Sequence, residues 1–172
     1  MSPVFHSEAD IIDWVGRHTG AIGLEGFCGS GKSYLAKRVV HELGYAEVDT
    51  DAFVVLKDGD WHYPERLDIH GLRNLFDDLR SKFDSKILAH GICLRETLAR
   101  MSREVDTFIY IKRVTQPVVD EVLWHDGIDL EMLKDGEVRL NSHDEPHRSA
   151  FKYHIEHAPH ERADAYYVRK SI

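Results

Sequence analysis

One segment of eight residues has the composition and spacing of a phosphate-binding turn. It has the sequence Gly26-Phe27-Cys28-Gly29-Ser30-Gly31-Lys32-Ser33, which fits G-x-x-x-x-G-K-[ST] at every fixed position. Glycines allow the backbone to turn tightly, so that several N–H groups converge on phosphate oxygens. Lys32 would supply a charge to the β- and γ-phosphates, and the Ser33 hydroxyl would coordinate Mg²⁺. The expected nucleotide-binding residues are Gly26, Phe27, Cys28, Gly29, Ser30, Gly31, Lys32, Ser33 and Tyr34.

Two acidic residues, Asp49 and Asp51, follow the second predicted strand. In a parallel sheet the carboxyl end of that strand faces the same crevice as the glycine-rich turn. A carboxylate there can orient an attacking hydroxyl and accept its proton, and another can hold a water of the Mg²⁺ shell. The two acids can divide these tasks. The alternative is an ordinary polar loop in which Asp51 caps a helix.

Alternating strands and helices surround these residues. Apolar runs predict strands over residues 21–25, 46–49, 86–90, 107–111 and 165–168. Apolar residues at helical spacing predict helices over residues 7–18, 32–43, 68–82, 94–103 and 146–157, the first with a capping box at Ser7. Residues 115–141 have the pattern of helix, loop and helix. The alternation predicts an α/β domain whose mainly parallel sheet has helices on both faces.

Composition narrows the class of protein. The chain has 172 residues, of which 42% are hydrophobic, which is typical of one compact domain spanning residues 1–172. Its net charge of -8 leaves no basic stripe for a nucleic-acid partner. No run approaches the roughly 20 apolar residues of a membrane span, and residues 1–10 lack the features of a signal peptide. Two cysteines, Cys28 and Cys93, make a reducing cytoplasm the expected location. Oligomeric state is not predicted.

The chain resembles the P-loop small-molecule kinases, above all the uridine kinase and phosphoribulokinase-like family, and secondarily the shikimate and gluconate kinases. Besides the glycine-rich turn, Asp51-Ala52-Phe53 resembles the Asp-Ser-Phe of uridine kinases, and Asp49-Thr50-Asp51 matches the Asp-x-Asp of shikimate kinases. The resemblance implies a three-layer P-loop NTPase fold with a mainly parallel five-stranded sheet and a helical lid, at about residues 113–148. It also implies ATP and Mg²⁺ as cofactors, Asp51 as the base and Asp49 at the metal.

A second segment resembles the acceptor-binding part of uridine kinases. Pro64-Glu65-Arg66-Leu67-Asp68 is similar to the Pro-x-x-x-Asp that opens the helix after their substrate loop, which implies that Asp68 contacts a substrate hydroxyl. The alternative role for Asp68 is a helix N-cap. Arg66 would bind an anionic group of the acceptor or remain solvated. The preceding loop would stack on an acceptor ring or pack against the domain edge through its aromatic residues Trp61, His62 and Tyr63.

The sequence departs from the uridine kinase pattern in two places. His90 precedes Gly91-Ile92 where those kinases have Glu, and it would contact the substrate or a phosphate, or fill space. Imidazole is a poor ligand for Mg²⁺, which prefers oxygen. The Arg-Arg-Asp pattern of the lid is also absent. Arg113 and Arg148 are the candidates for stabilising the transferring phosphoryl group, and each could instead be a solvated surface arginine.

These features favour a phosphotransferase that moves the terminal phosphate of ATP to a hydroxyl of a small molecule, such as a nucleoside or a sugar-like alcohol. The alternative is a P-loop ATPase or a nucleotide-binding sensor without an acceptor. A switch GTPase would have an Asn-Lys-x-Asp motif, which this sequence lacks. The presence of Asp51 and of a substrate-loop segment favours the kinase.

Overall fold

A parallel β-sheet forms the centre of the molecule. The computed structural model describes residues 2–55, 62–114, 123–124, 128–129 and 145–170. The strands in this part of the chain are β1 (Val4–Phe5), β2 (Ile22–Glu25), β3 (Ala46–Asp49), β4 (Ile87–His90), β5 (Thr107–Val114), β6 (Leu123–Trp124), β7 (Ile128–Asp129) and β8 (Ala165–Lys170). Six of them form one sheet in the order β1-β8-β5-β2-β4-β3, with all neighbours parallel. β2 is therefore a central strand of the sheet, and its carboxyl end has a neighbouring strand on each side.

The sheet has six strands, so the prediction of five is wrong by one. The additional strand is β1, in which Val4 pairs with Tyr166 and Phe5 with Tyr167 of β8. Two residues are too few to show the alternation of apolar and polar side chains by which a strand is recognised in a sequence. The other five strands lie where the sequence predicts them, although β5 and β8 continue past the predicted ends.

Five helices of the described chain flank the sheet: α1 (Glu8–Gly16), α2 (Lys32–Leu43), α3 (Ile69–Lys82), α4 (Leu94–Met101) and α5 (His147–His157). Two short 3-10 helices span Thr50–Phe53 and Tyr63–Arg66. The capping box predicted at Ser7 is wrong, because the Ser7 side chain makes no capping hydrogen bond. α4 ends before its predicted end because Ser102 adopts a left-handed backbone conformation with φ of 55°.

Helices pack on both faces of the sheet through buried apolar side chains. On one face, α1 and α2 pack through Ile11, Val15, Leu35 and Val39. The other face receives α3 and α4, through the buried side chains Leu72, Phe76, Leu94, Leu98 and Met101. A third cluster, above the carboxyl edge of the sheet, joins the glycine-rich turn to α5. The result is the three-layer α/β arrangement that the sequence predicts.

The predicted lid falls mostly outside the described residues. Of residues 115–141, the structure describes only the ribbon of β6 and β7, which are antiparallel where the sequence predicts helix, loop and helix. Trp61 of the aromatic loop is likewise outside the described part. Among the helices that are described, none combines the length and apolar character needed to span a membrane.

Candidate functional site

The glycine-rich turn joins β2 to α2 at the carboxyl edge of the sheet. Gly26 has a φ of 145°, and a Cβ placed on it would lie 2.5 Å from the carbonyl oxygen of Ile111. No other residue fits there without displacing the neighbouring strand. Gly31 is the N-cap residue of α2, so the unpaired N–H groups and positive dipole end of that helix face the turn. This geometry suits the binding of a phosphate group.

Lys32 places a buried ammonium group inside the turn. Its Nζ donates hydrogen bonds of 2.8 Å to the Gly26 carbonyl and 2.7 Å to the Phe27 carbonyl. The residue is 6% exposed, and burial lowers the pKa of the Lys32 amine below its ordinary value. The buried Lys32 charge is costly, and its two acceptors are carbonyls that do not neutralise it. An anionic ligand would supply the missing negative charge.

Most of the predicted nucleotide-binding residues line one cavity of about 300 Å³. Its lining residues are Cys28, Gly29, Gly31, Lys32, Ser33, Tyr34, Asp51, Ile92 and Pro146. The Phe27 ring instead packs into the protein, stacked on His154 with centroids 3.8 Å apart. Ser30 is fully buried behind the turn. A more open cavity of about 740 Å³ beside α4 contains none of the predicted site residues.

Asp51 is the predicted base, and it lines the same cavity as Lys32 and Ser33. Its Oδ1 accepts hydrogen bonds from the Tyr63 hydroxyl and, at 3.4 Å, from the backbone N–H of Ile92. The short 3-10 helix Thr50–Phe53 at the end of β3 presents the side chain to the turn. A carboxylate therefore faces the place where a terminal phosphate would lie.

Asp49 and His90 lie behind Asp51 and are not among the residues that line the cavity. Asp49 caps the 3-10 helix, since its Oδ1 accepts a 3.0 Å hydrogen bond from the Asp51 N–H. His90 is fully buried, and its Nε2 lies 2.8 Å from Oε1 of Glu47. A water would be needed to connect Asp49 to a metal in the cavity, which is the arrangement that Mg²⁺ commonly keeps.

The acceptor segment folds against the same edge of the sheet. Asp68 is the N-cap of α3, and its Oδ1 accepts a 2.9 Å hydrogen bond from the Gly71 N–H. The N-cap alternative for Asp68 is therefore confirmed, while its contact with a substrate stays a prediction. Arg66 ends the 3-10 helix Tyr63–Arg66 and is partly exposed. Tyr63 is only 2% exposed, so it packs in the interior.

The two predicted arginines occupy different surroundings. NH1 of Arg113 donates a 3.3 Å hydrogen bond to the Gly29 carbonyl, which brings the Arg113 side chain to the glycine-rich turn. Nε of Arg148 donates a 3.0 Å hydrogen bond to Glu145 at the start of α5. An arginine that sequence reasoning missed is Arg169, whose guanidinium lies 5.2 Å from the centroid of the Tyr34 ring.

A second group missed from the sequence supports the turn from behind. Glu25, the residue before Gly26, is 1% exposed and accepts hydrogen bonds from Arg95, at 2.9 Å, and from the Tyr153 hydroxyl. Burial raises the pKa of Glu25, and the charge of Arg95 opposes that rise. In the sequence, the only sign that Glu25 supports the turn is its position at the end of the strand before Gly26. Its partners Arg95 and Tyr153 are distant in the sequence and are brought to it by the fold.

The donor set of the cavity fits a nucleotide with Mg²⁺. Within the described part of the chain, no group of three or more His, Cys, Asp or Glu side chains could hold a metal ion by itself. Mg²⁺ in nucleotide sites is held by one or two protein oxygens together with waters and phosphates. The Ser33 hydroxyl is such an oxygen and Ser33 lines the cavity, while the Asp49 carboxylate would reach the ion through a water.

Comparison with solved structures gives at least two that are similar to this chain. One, described as a possible uridine kinase from Bacillus stearothermophilus, has a TM-score of 0.53 and 16% identity, covering 92% of this chain and 98% of that one. A candidate fructose transport system kinase from Silicibacter sp. TM1040 has a TM-score of 0.44 and 18% identity, covering 93% of this chain and 98% of that one. The sequence matches no protein-family model and no curated protein.

The first of these similarities shows the fold. The chain has the three-layer α/β fold of the P-loop kinases, which confirms the resemblance inferred from its motifs. The parallel strands, the glycine-rich turn after β2 and the helix that follows the turn are elements of this fold.

Proposed function

We propose that this protein is an ATP- and Mg²⁺-dependent phosphotransferase that moves the terminal phosphate to a hydroxyl of a small molecule. The observation that supports this most directly is the one cavity shared by Lys32, Ser33 and Asp51. A carboxylate beside a polyphosphate site weakens anion binding by repulsion, so its presence there favours a chemical task. That task is to orient the acceptor hydroxyl and take its proton.

Each part of the site has a role in this proposal. The backbone from Gly26 to Gly31 and the side chain of Lys32 hold the triphosphate, which donates the phosphoryl group when bound with Mg²⁺. Ser33 ligates Mg²⁺ directly, and Asp49 supports it through a water. Of the two candidate arginines, the hydrogen bond to the Gly29 carbonyl favours Arg113 for neutralising charge on the transferring group.

A nucleoside or sugar-like alcohol is the proposed acceptor. The similar fold of the possible uridine kinase supports this class. The acceptor would lie against Asp51 and the segment containing Arg66 and Asp68. The net charge of -8 favours a small molecule over a nucleic acid, because the chain offers few cations with which to neutralise a phosphate backbone.

The proposal is tested by measuring ADP release with ATP and Mg²⁺ across a panel of nucleosides, sugars and small alcohols. The wild type is compared with Asp51→Asn and with a matched control, Asp78→Asn, on the exposed side of α3. We expect one acceptor class to stimulate release in the wild type and in the control. Asp51→Asn should bind ATP normally but lose the stimulation.

One result would count against this function, and another would count against the role of Asp51 in it. ADP release that no compound stimulates, and that Asp51→Asn does not change, would favour an ATPase or a nucleotide sensor. Stimulation that survives unchanged in Asp51→Asn would support a kinase but remove Asp51 as its base. Mass spectrometry of the phosphorylated acceptor then distinguishes transfer from acceptor-stimulated hydrolysis.

A further inference from the structure

Tyr63 is a buried phenol whose hydroxyl lies at the proposed base. It is 2% exposed, and its hydroxyl donates a hydrogen bond to Oδ1 of Asp51. The Thr50 hydroxyl lies 3.3 Å away and is the second polar neighbour of the phenol. A buried phenol needs a hydrogen-bond partner, and this one uses the carboxylate that faces the nucleotide cavity.

The backbone of Tyr63 is held by a hydrogen bond to Ser149 of α5. The Tyr63 backbone N–H donates a 2.9 Å hydrogen bond to Oγ of Ser149, and that hydroxyl donates a 2.5 Å bond to Oε2 of Glu145. The ring also belongs to the apolar cluster that includes Phe27 and Phe151. Because both its backbone and its ring are fixed, Tyr63 is a rigid donor.

Asp51 depends on such a donor to keep one orientation. The residue is exposed, and its side chain is held by two hydrogen bonds to the same oxygen, Oδ1. Within the described part of the chain Oδ2 accepts no hydrogen bond, and it is the carboxylate oxygen that would face an acceptor. The weaker of the two bonds, from the Ile92 N–H, is 3.4 Å long. Of the two described hydrogen bonds to the carboxylate, the one from the Tyr63 hydroxyl is therefore the stronger restraint.

We propose that Tyr63 is a positioning residue for phosphoryl transfer, whose hydroxyl fixes Asp51 so that Oδ2 faces the acceptor hydroxyl. This inference rests on the proposed function. Burial, and then the charge of Asp51, raise the pKa of Tyr63 above its ordinary value of 10.0, so the phenol stays a donor at neutral pH. Tyr63 acts through Asp51 and does not itself contact the reacting atoms.

The transfer step leaves the Tyr63 proton in place. Oδ2 of Asp51 takes the proton of the acceptor hydroxyl while the acceptor oxygen forms a bond to the terminal phosphorus. The bond from that phosphorus to the bridging oxygen breaks, and ADP keeps the electron pair. The phenol donates to Oδ1 throughout, so only the orientation of the carboxylate depends on it.

Tyr63→Phe tests the proposal because it removes the hydroxyl and keeps the ring in its apolar cluster. The matched control is Tyr45→Phe, which also removes the hydroxyl of a buried tyrosine, one that donates a 3.1 Å hydrogen bond to the His18 carbonyl. We expect Tyr63→Phe to lower kcat for acceptor phosphorylation roughly 10- to 100-fold. The KM for ATP should stay at the wild-type value, because the phosphate cradle is untouched. Tyr45→Phe should keep the wild-type kcat.

Urea unfolding of the same proteins separates positioning from folding. We expect Tyr63→Phe and Tyr45→Phe to shift the unfolding midpoint by similar amounts. The midpoint shifts of Tyr63→Phe and Asp51→Ala should not add in the double variant, because the two residues share one hydrogen bond. The proposal would be overturned if Tyr63→Phe lost activity and also unfolded at a urea midpoint far below that of Tyr45→Phe. The Tyr63 hydroxyl would then be a structural element of the fold.

The activity data also separate this inference from the function on which it rests. Wild-type kcat in Tyr63→Phe, with activity still lost in Asp51→Asn, would overturn the positioning role alone. If no acceptor stimulated the wild type, or if Asp51→Asn did not reduce the stimulation, the assignment of Asp51 as the base would be overturned. The positioning role of Tyr63 would then be overturned as well.

Discussion

Arg95 and Glu25 form an ion pair next to the glycine-rich turn, with Nε of Arg95 2.9 Å from Oε2 of Glu25. Glu25 is 1% exposed and is the last residue of β2, while the Arg95 side chain is 21% exposed. The pair connects α4 to the strand from which the turn begins. A buried carboxylate costs free energy unless it is paired, so Arg95 supports the strand end from which the glycine-rich turn begins.

Arg95→Met should destabilise the protein strongly. Removal of one partner leaves the Glu25 carboxylate buried without its cation, which costs about 3 kcal/mol of unfolding free energy for a pair of this kind. The matched control is Arg17→Met, which breaks the exposed pair with Asp13 and should change stability very little. Urea unfolding of the three proteins gives the comparison. Equal effects of the two substitutions would mean that the Glu25 pair adds no more than a surface contact.

The pH dependence of stability should identify Glu25. Burial raises its pKa above the ordinary 4.5, while Arg95, Tyr153 and Lys32 oppose the rise. The folded protein thus retains the Glu25 proton to higher pH than the unfolded chain does. The contribution of protonated Glu25 to the unfolding free energy is fully present below about pH 4.5. It is lost as the pH rises through the pKa of Glu25 in the folded protein.

Glu25→Gln is neutral in both states, so it isolates this titration. The wild-type and variant proteins share every other titrating group. The contributions of those groups therefore cancel in the difference between the two unfolding free energies. We expect that difference to move in favour of Gln as the pH rises from 4.5 towards 7, by at most about 1.4 kcal/mol per pH unit. A difference that stays constant over this range would mean that Glu25 titrates as it does in the unfolded chain.

Local patterns in the sequence predict the part of the fold that depends on neighbouring residues. The helix Lys32–Leu43 is predicted at both ends because Gly31 and Gly44 flank an apolar stripe. β1 is missed because its two residues are defined by pairing with Tyr166 and Tyr167, far away in the chain. The sequence therefore predicts the layers and their order of appearance, but not the strand that completes the sheet edge.

The same distinction applies to the site. The glycine-rich turn is continuous in sequence, so its motif predicts it without reference to the fold. Glu25 and Tyr63 act through partners elsewhere in the chain, namely Tyr153 and Asp51. No spacing rule connects such residues, since the fold alone brings them together. Sequence reasoning accordingly places Tyr63 among the aromatic residues of the acceptor loop, whereas in the structure its hydroxyl contacts the proposed base.

Lys32→Met should separate nucleotide binding from stability. The ammonium contributes charge-assisted hydrogen bonds to phosphates, so we expect ATP to bind at least about 100-fold more weakly by calorimetry. Burial lowers the pKa of Lys32, which means that the charged form is costly in the absence of nucleotide. The variant without ATP should therefore be at least as stable as the wild type. Lys37→Met, at an exposed position on the same helix, is the matched control and should bind ATP normally.

Asp68 caps α3 and is also predicted to hold the acceptor, and two substitutions distinguish these roles. Asp68→Ala removes the hydrogen bond to the Gly71 N–H and should lower the unfolding free energy by about 1 kcal/mol. Serine is also a favoured N-cap residue, so Asp68→Ser should recover most of that stability. Neither variant retains a carboxylate.

The kinetic comparison then tests the acceptor contact. If Asp68 accepts a hydrogen bond from an acceptor hydroxyl, both variants should raise the acceptor KM by about 10-fold, because a hydrogen bond to a charged group is worth about 1.5 kcal/mol or more. The KM for ATP should not change in either one. An Asp68→Ser protein with wild-type stability and the wild-type acceptor KM would limit Asp68 to its role as a helix cap. A helix cap requires only an oxygen that accepts a hydrogen bond from the backbone, and serine supplies one. Such a result would therefore leave the acceptor to be held by other residues of the loop.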